Sequence, residues 1–134
     1  MSDFCIFCAI AARDAPASIV ASDETAVAFL DLNPLTTGHT LVIPRRHVTD
    51  LLDAGGAVAE IGPLLESTGA LLVDRLGADG INVFQASREA AGQTVFHLHF
   101  HLLPRWGGDN MLNMHSIRAE VTDDLATTHA RITG

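Results

Sequence analysis

The chain has 134 residues and a mass of 14.2 kDa, which fits one compact domain and excludes a (β/α)₈ barrel, since that fold needs roughly 200 residues or more. Hydrophobic residues make up 48% of the chain and charged residues 18%, enough apolar material for a core. The net charge of −8 argues against wrapping nucleic acid, which needs many cations to neutralise phosphates. No apolar run approaches the roughly 18 residues of a membrane span and no signal peptide is recognisable, so we expect a cytoplasmic protein.

The first part of the chain predicts a short helix followed by three strands. Residues 4–12 suit the helix. Residues 18–21 and 26–32 flank a polar turn and predict a hairpin. Residues 40–43 are apolar and β-branched, and they predict a strand that follows a tight turn supported by hydrogen bonds of His39.

The middle of the chain predicts the main helical segment. Thr49, followed by an acidic residue, is a plausible N-cap, and apolar residues then recur at helical spacing. Pro63 lacks the N–H that a helix interior requires, so we expect a break near Gly62 and a second helix ending at Gly77.

The last part predicts strands at 81–85 and 94–103 and a C-terminal helix beginning near Thr122. Together the elements predict an α+β fold, with a mostly antiparallel sheet of about five strands. The predicted core comprises Leu41, Ile43, Ile61, Leu64, Leu65, Leu71, Leu72, Leu76, Val83, Phe96, Leu98 and Phe100.

The most informative segment, Phe96 to Leu103, alternates apolar residues with histidines. Alternate side chains of a strand point to opposite faces. His97, His99 and His101 would therefore share one face, while the apolar residues between them pack on the core. A half-exposed strand whose polar positions happen to be histidine is the alternative.

Three imidazoles in a row suit chemistry on phosphorus. A neutral imidazole can attack phosphorus and form a phosphoramidate that water later cleaves, while protonated neighbours stabilise phosphoryl charge. A strand would hold the rings at fixed separations, so little ordering remains when substrate binds. In the preceding loop, Gly92 permits close backbone approach and Gln93 and Thr94 supply donors, as in an anion site.

A metal site is the competing interpretation, since His-x-His on a strand can place two ligands on one ion. The residues after His99 lack the Asp of metallo-β-lactamase-type sites and the Glu of cupin sites. Cys5 and Cys8 have the spacing of a zinc knuckle, but a redox pair or two small core residues remain open.

Residues 97–103 match in full the signature His-φ-His-φ-His-φ-φ, with φ apolar, of the histidine triad (HIT) family, which the chain resembles. Further similar blocks follow one another in order over about residues 4–106, and ordered blocks are more specific than one motif. They are Cys5 to Cys8, Ala28 to Pro34, Gly38 to His47 and Ala91 to Phe96, and they resemble the zinc-containing, Hint-like bacterial branch. The resemblance implies one HIT domain over residues 1–134 with a HIT-like fold. The C-terminal extension 107–134 matches nothing.

The resemblance implies an enzyme that cleaves the α-phosphate bond of nucleoside phosphoramidates, adenylates or dinucleoside polyphosphates and releases a nucleoside monophosphate. His99 would attack phosphorus and form a nucleotidyl-histidine intermediate, and His101 would contact the α-phosphate. Gln93 and Thr94 would bind phosphate oxygens or the leaving-group side. Asp31 would accept hydrogen bonds from ribose, although an Asp at a strand end also caps turns. The alternative is a non-catalytic nucleotide-binding or protein-interaction module on the same scaffold.

One position departs from the family pattern. Many Hint-like sequences have Asn, followed by a polar residue and a glycine, where this chain has Ala86, Ser87 and Arg88. Ser87 or Arg88 would then substitute for the Asn, or the substrate range would differ.

The resemblance also implies a structural zinc ion bound by Cys5, Cys8, His47 and His97, which leaves His99 free as the nucleophile. This site would join the N-terminal segment to the catalytic strand. It further implies a purine nucleotide substrate and a homodimer whose sheets join edge to edge.

Overall fold

The computed structural model describes residues 4–109 and 124–133. Five strands form one antiparallel sheet in the order β1-β2-β3-β5-β4, with one main helix, which confirms the predicted α+β fold. The elements are α1 Ile6–Ala11, β1 Ile19–Ser22, β2 Ala26–Leu30, β3 Thr40–Pro44, α2 Ala57–Leu76, β4 Gly80–Phe84, β5 Phe100–Arg105 and α3 Leu125–Thr133. The predicted C-terminal helix is present, while Thr122 lies outside the described residues. Within the described ranges, no helix has the length and apolarity needed to cross a membrane.

The sheet is covered on both faces, and β2 shows why. Ala26 and Ala28 pack in a cluster with apolar residues of α2. Val27 and Phe29, which alternate with them, pack against Phe7 and other residues of α1. Since neighbouring residues of a strand point to opposite faces, β2 is buried almost throughout. The candidate site lies on the α1 face.

Helix α2 is continuous, so the predicted break near Gly62 is wrong. Pro63 is exposed, and so is Ala59, whose carbonyl would have accepted the N–H that proline lacks. That carbonyl lies on the solvent side, where water can replace the missing donor. The predicted end is confirmed, because Gly77 has a φ of 64° and caps the helix in the left-handed conformation.

The predicted helix cap at Thr49 is wrong. The capping residue is the next one, Asp50, and it caps a short helix that precedes α2. Asp50 caps a short 3₁₀ helix at Leu51–Asp53, accepting the N–H groups of Leu52 and Asp53. Helix α2 begins only after two glycines that both have positive φ.

Most of the predicted core is confirmed. Leu41, Ile43, Ile61, Leu64, Leu72 and Leu98 are buried, and Leu65, Leu71 and Phe100 are partly buried. Phe96, Val83 and Leu76 were predicted wrongly, with 50%, 49% and 38% of their surfaces exposed. Phe96 precedes β5 in irregular backbone, Val83 lies on edge strand β4, and Leu76 is in the last turn of α2.

Gly38 shapes the turn that delivers His39 to the site. It has a φ of 83°, which L-residues with side chains rarely adopt. A Cβ atom there would lie against Leu76 of α2 and within 3.3 Å of Pro104 Cγ. Glycine therefore permits both the turn and the close approach of β3 to its neighbours.

Candidate active site and metal cluster

The histidine segment is less regular than predicted. Strand β5 begins at Phe100, so the predicted strand over 94–103 is wrong in its first half, and residues 95–97 form a bend. Neighbouring side chains nevertheless point to opposite faces of the sheet. Leu98 packs beside α2, while His99 contacts Phe7 of α1 at a ring separation of 5.2 Å. The bend arises because Leu98 N–H donates to Val48 O rather than to a strand partner.

His99 is held in one tautomer by the backbone. Its Nδ1 lies 2.8 Å from the carbonyl oxygen of His97. Because a carbonyl can only accept, Nδ1 must carry a proton, so the lone pair of the neutral ring is on Nε2. The ring is 7% exposed and lines a pocket. His99 thus has the nitrogen that a nucleophile needs.

His101 is held in the opposite neutral tautomer by a chain of hydrogen bonds. The N–H of Leu35 donates to His39 Nδ1 at 3.1 Å, so the proton of His39 is on Nε2. That Nε2 lies 2.9 Å from His101 Nδ1 and donates to it. The proton of His101 is therefore on Nε2, which can donate to a ligand. Phe84 stacks on this ring at 4.3 Å.

Burial favours the uncharged forms of the two hydrogen-bonded histidines, His39 and His101. Burial, together with the nearby His99 and His39, lowers the pKa of His101 to about 4, against a smaller opposing effect of Asp31. Burial also lowers the pKa of His39, again partly opposed by Asp31. Near neutral pH His101 is thus a neutral donor, not the imidazolium that the sequence analysis considered.

Asp31 caps a turn, while ribose binding by its carboxylate stays a prediction. Its Oδ1 accepts the N–H of Asn33 at 2.8 Å, so it caps the turn that follows β2. Its Oδ2 lies 3.5 Å from His39 Nε2, and the residue lines the same pocket as His99. The carboxylate therefore keeps acceptor capacity on the pocket side.

The pocket has a volume of about 380 Å³ and two chemically different sides. The polar side includes Asp31, Thr94, His99 and His101. The apolar side is formed by Ile6, Phe7, Ile10, Phe29 and Leu41. A flat apolar group attached to a polar group fits this division.

Gln93 and Thr94 are placed differently. Gln93 is 3% exposed, and its amide is engaged: Oε1 accepts Arg88 N–H at 2.6 Å, while Nε2 donates to Thr49 O and Val95 O. Both amide hydrogens are thereby used inside the protein. Thr94 is exposed and lines the pocket. Phosphate binding by either residue stays a prediction, and the geometry gives Thr94 the direct access.

Four other side chains converge beside the pocket in what we call the metal cluster: Cys5, Cys8, His47 and His97. His97 Nδ1 lies 3.3 Å from Cys5 Sγ, 3.4 Å from Cys8 Sγ and 3.2 Å from His47 Nδ1. A tetrahedral zinc ion with bonds of about 2.0–2.1 Å to nitrogen and 2.3 Å to sulfur separates two nitrogens by about 3.3 Å and nitrogen from sulfur by about 3.5 Å. The spacing matches these values.

The protons of the metal cluster also suit an ion. His97 Nε2 lies 2.9 Å from the carbonyl of Pro44 and must donate to it, which leaves the Nδ1 lone pair inside the cluster. Without a cation, burial and the neighbouring Cys5 raise the pKa of the Cys8 thiol to about 11. A bound zinc ion reverses this preference, since a coordinating thiol is deprotonated. The four residues therefore fit zinc.

Asp31, His39 and His101 form a second group of possible metal ligands. Their hydrogen bonds argue otherwise, because the atom of His39 that faces the group, Nε2, carries a proton and cannot ligate. We call this second group the relay cluster.

Sequence reasoning missed part of the site. His39 was expected only to support a turn, yet it contacts His101. His39 directly precedes β3, two residues before Leu41, which pairs with His101 of β5, and that register is not readable from the sequence. The roles of Phe7, Phe29 and Phe84 likewise depend on tertiary packing.

The chain is similar to known proteins over most of its length. Residues 12–108 match the protein family described as the HIT domain. The chain is 41% identical over 108 residues to an uncharacterized HIT-like protein of Borreliella burgdorferi, with 78% of each chain covered. It is 31% identical over 126 residues to adenylylsulfatase HINT3 of Arabidopsis thaliana, covering 87% of this chain and 62% of that protein. A solved zinc-bound histidine triad family protein of Mycobacterium smegmatis superposes with a TM-score of 0.77 at 39% identity, covering 88% of this chain and 84% of that one.

Proposed function

The chain belongs to the histidine triad (HIT) family, and on that premise we propose that it is a nucleotide hydrolase or transferase with His99 as its nucleophile. The observation that carries the proposal is the hydrogen bond from His99 Nδ1 to His97 O, which leaves the lone pair on Nε2 of a ring that lines the pocket. The substrate is a purine nucleoside phosphoramidate, an adenylate or a dinucleoside polyphosphate, and the product is a nucleoside monophosphate.

The two sides of the pocket support this substrate class. The apolar side, to which Phe7 of α1 and Phe29 of β2 contribute, suits a purine base. Asp31 can accept hydrogen bonds from ribose hydroxyls. Thr94 and the Nε2–H of His101 are then available to the α-phosphate. The 380 Å³ pocket admits one nucleoside, so the leaving group extends beyond it.

The reaction follows from the two tautomers. The Nε2 lone pair of His99 attacks the α-phosphorus, a P–N bond forms, and the bond to the leaving group breaks with its electron pair on the leaving group. His97 O holds the proton of Nδ1 as the ring becomes positive. His101 donates its Nε2–H to a phosphoryl oxygen. Water then attacks phosphorus and loses one proton to the solvent, the P–N bond breaks, and its electron pair returns to His99 Nε2.

The metal cluster has a structural role in this proposal. Cys5, Cys8, His47 and His97 would hold zinc, which supplies a fixed link between α1 and the histidine segment. His97 thereby contributes its ring to the cluster and its carbonyl to His99. Thiolates bind zinc only while they stay reduced, which agrees with the cytoplasmic location expected from the sequence.

A homodimer belongs to the same proposal. Strand β4 lies at the edge of the sheet, and Val83 on it is 49% exposed. Leu65, Val73 and Ile81 line an apolar depression beside it. An exposed apolar edge of this kind favours pairing with a second copy, and light scattering of the purified protein would show twice the chain mass.

The test compares His99→Asn with the parent and with a control, His129→Asn, on the exposed side of α3. The panel contains an adenosine phosphoramidate, adenylyl sulfate and a dinucleoside polyphosphate, with products identified by mass spectrometry. We expect His99→Asn to lose at least roughly a thousandfold in kcat while retaining binding of adenosine monophosphate (AMP). Parental rates for that variant would refute the nucleophile assignment.

A non-catalytic nucleotide-binding module is the second candidate. Ala86 favours it, because the Asn usual in Hint-like sequences is replaced by a side chain without hydrogen-bonding atoms. It predicts AMP binding without turnover across the whole panel.

A further inference from the structure

The loop at residues 85–94 is bound to the short segment 48–51 by three side chains. Ser87 Oγ accepts the N–H of Leu51 at 3.0 Å. Gln93 Nε2 donates to Thr49 O at 2.7 Å. Arg88 Nε lies 3.4 Å from Asp50 Oδ2. The same segment accepts Leu98 N–H at Val48 O, so the loop and the histidine segment share one support.

Arg88 has a backbone conformation that favours glycine. Its φ is 76° and its ψ is 162°. Among the described non-glycine residues, Arg13 alone shares a positive φ. Such a conformation persists only where the surroundings impose it, and it concentrates at functional sites. Here Gln93 Oε1 holds the N–H of Arg88 at 2.6 Å, while the carbonyl of Arg88 accepts the N–H groups of Ala91 and Gln93.

The side chain of Arg88 faces a buried carboxylate. Asp50 is 3% exposed. Its Oδ1 accepts two N–H groups of the 3₁₀ helix, and Oδ2 faces Arg88. A buried charge is costly without a partner. The Arg88 guanidinium is the cation that compensates Asp50 among the residues of known position.

We propose that Arg88 is a positioning residue that latches the 85–94 loop to Asp50 and so holds Thr94 at the phosphate side of the pocket. Arg88 is connected to Thr94 through one residue. Its N–H donates to the side chain of Gln93, and Gln93 directly precedes Thr94. This inference rests on the proposed function and concerns the residues at which the chain departs from the Hint-like pattern.

The test measures the phosphate contribution to binding, as the ratio of the Kd of adenosine to the Kd of AMP. The variants are Arg88→Met, Asp50→Asn, their combination and Arg88→Lys. Arg88→Met keeps an unbranched, flexible side chain but removes the guanidinium and its charge, and Asp50→Asn keeps an oxygen for the helix cap. Arg13→Met is the matched control, since Arg13 is an exposed arginine whose φ is also positive.

We expect Arg88→Met to lower the ratio roughly tenfold and kcat by roughly ten- to hundredfold, because small misplacements of a reacting group have effects of this size. The Kd of adenosine stays constant, since the base side of the pocket is untouched. The double variant has the same Kd ratio and kcat as either single variant, because both substitutions remove the same interaction. Arg88→Lys recovers most of the loss, and Arg13→Met changes neither quantity.

Three results would separate the inference from the proposed function. If Arg88→Met weakens adenosine and AMP alike, or lowers only the melting temperature, the latch is wrong. If the effects of the two single variants add in the double variant, the pairing with Asp50 is wrong. If the parent prefers AMP and Arg88→Met loses this preference, but the parent turns over no substrate, the latch stands and the catalytic proposal fails.

Discussion

The metal cluster contains two cysteines and two histidines, and the relay cluster an aspartate and two histidines. Each cluster takes one histidine from the segment 96–103, yet their protons are arranged in opposite ways. In the metal cluster, the carbonyl of Pro44 accepts from His97 Nε2 and leaves a lone pair facing the other ligands. In the relay cluster, the amide of Leu35 donates to His39 Nδ1 and leaves a proton facing His101. The comparison teaches that one backbone group, acceptor or donor, decides whether converging histidines can hold an ion.

The largest effect is expected from a substitution that disrupts the metal cluster. Cys8→Ser removes one of four ligands, so bound zinc should fall from about one ion per chain to a small fraction. The free energy of unfolding should fall by roughly 3 kcal/mol or more, since structural zinc contributes to folding directly. Elemental analysis and denaturant titration measure the two quantities. Full stability of a metal-free parent would contradict the structural role.

A second substitution would break the relay cluster. His39→Leu removes the donor to His101 Nδ1, so the proton of His101 is free to leave Nε2. We expect kcat to fall roughly tenfold, less than the roughly 100- to 10,000-fold contributed by a positioned proton donor, because the ring of His101 itself remains. Zinc content should stay at the parental value, because His39 lies outside the metal cluster. Steady-state kinetics and elemental analysis on one preparation test both statements, and loss of zinc would show that the clusters are not separate.

The pH dependence of stability sharpens the comparison further. The pKa of His101 is lowered to about 4 mainly by burial, whereas an unfolded histidine titrates near 6.5. Between these values the unfolded chain binds the additional proton, so stability is fully present above about pH 6.5 and is lost as the pH falls towards 4. One proton corresponds to a slope of at most about 1.4 kcal/mol per pH unit. His101→Gln should flatten this part of the curve in urea titrations, and an unchanged slope would refute the assignment.

The last prediction is that the relay cluster binds no metal ion, so that a substitution in it leaves the metal content unchanged. Asp31→Asn should leave the zinc content at the parental value, and excess zinc or manganese should add no second tightly bound ion. The reason is that His39 directs a proton, not a lone pair, towards Asp31 and His101. Isothermal titration with each metal tests this, and a second stoichiometric site would overturn the tautomers assigned here.

The sequence predicted what depends on local chemistry and failed where tertiary contacts decide. Alternation and turn residues located the strands, but continuity of α2 through Pro63 depends on the solvent exposure of Ala59. The beginning of β5 depends on Val48, which captures the amide of Leu98. Family resemblance brought the four metal-cluster residues together. The tautomers required the carbonyl of Pro44 and the amide of Leu35, neither of which carries a sequence signal.

Helix α1 has only six residues, and it contributes to both the metal cluster and the pocket. Cys5 caps it and Cys8 lies within it, while the ring of Phe7 touches His97 and His99 and lines the apolar side of the pocket. An engineer who wishes to change base preference therefore has little freedom on this helix, since replacements at Phe7 also alter the surroundings of the nucleophile. Phe29 and Leu41, which line the same apolar side from β2 and β3, are the places to diversify.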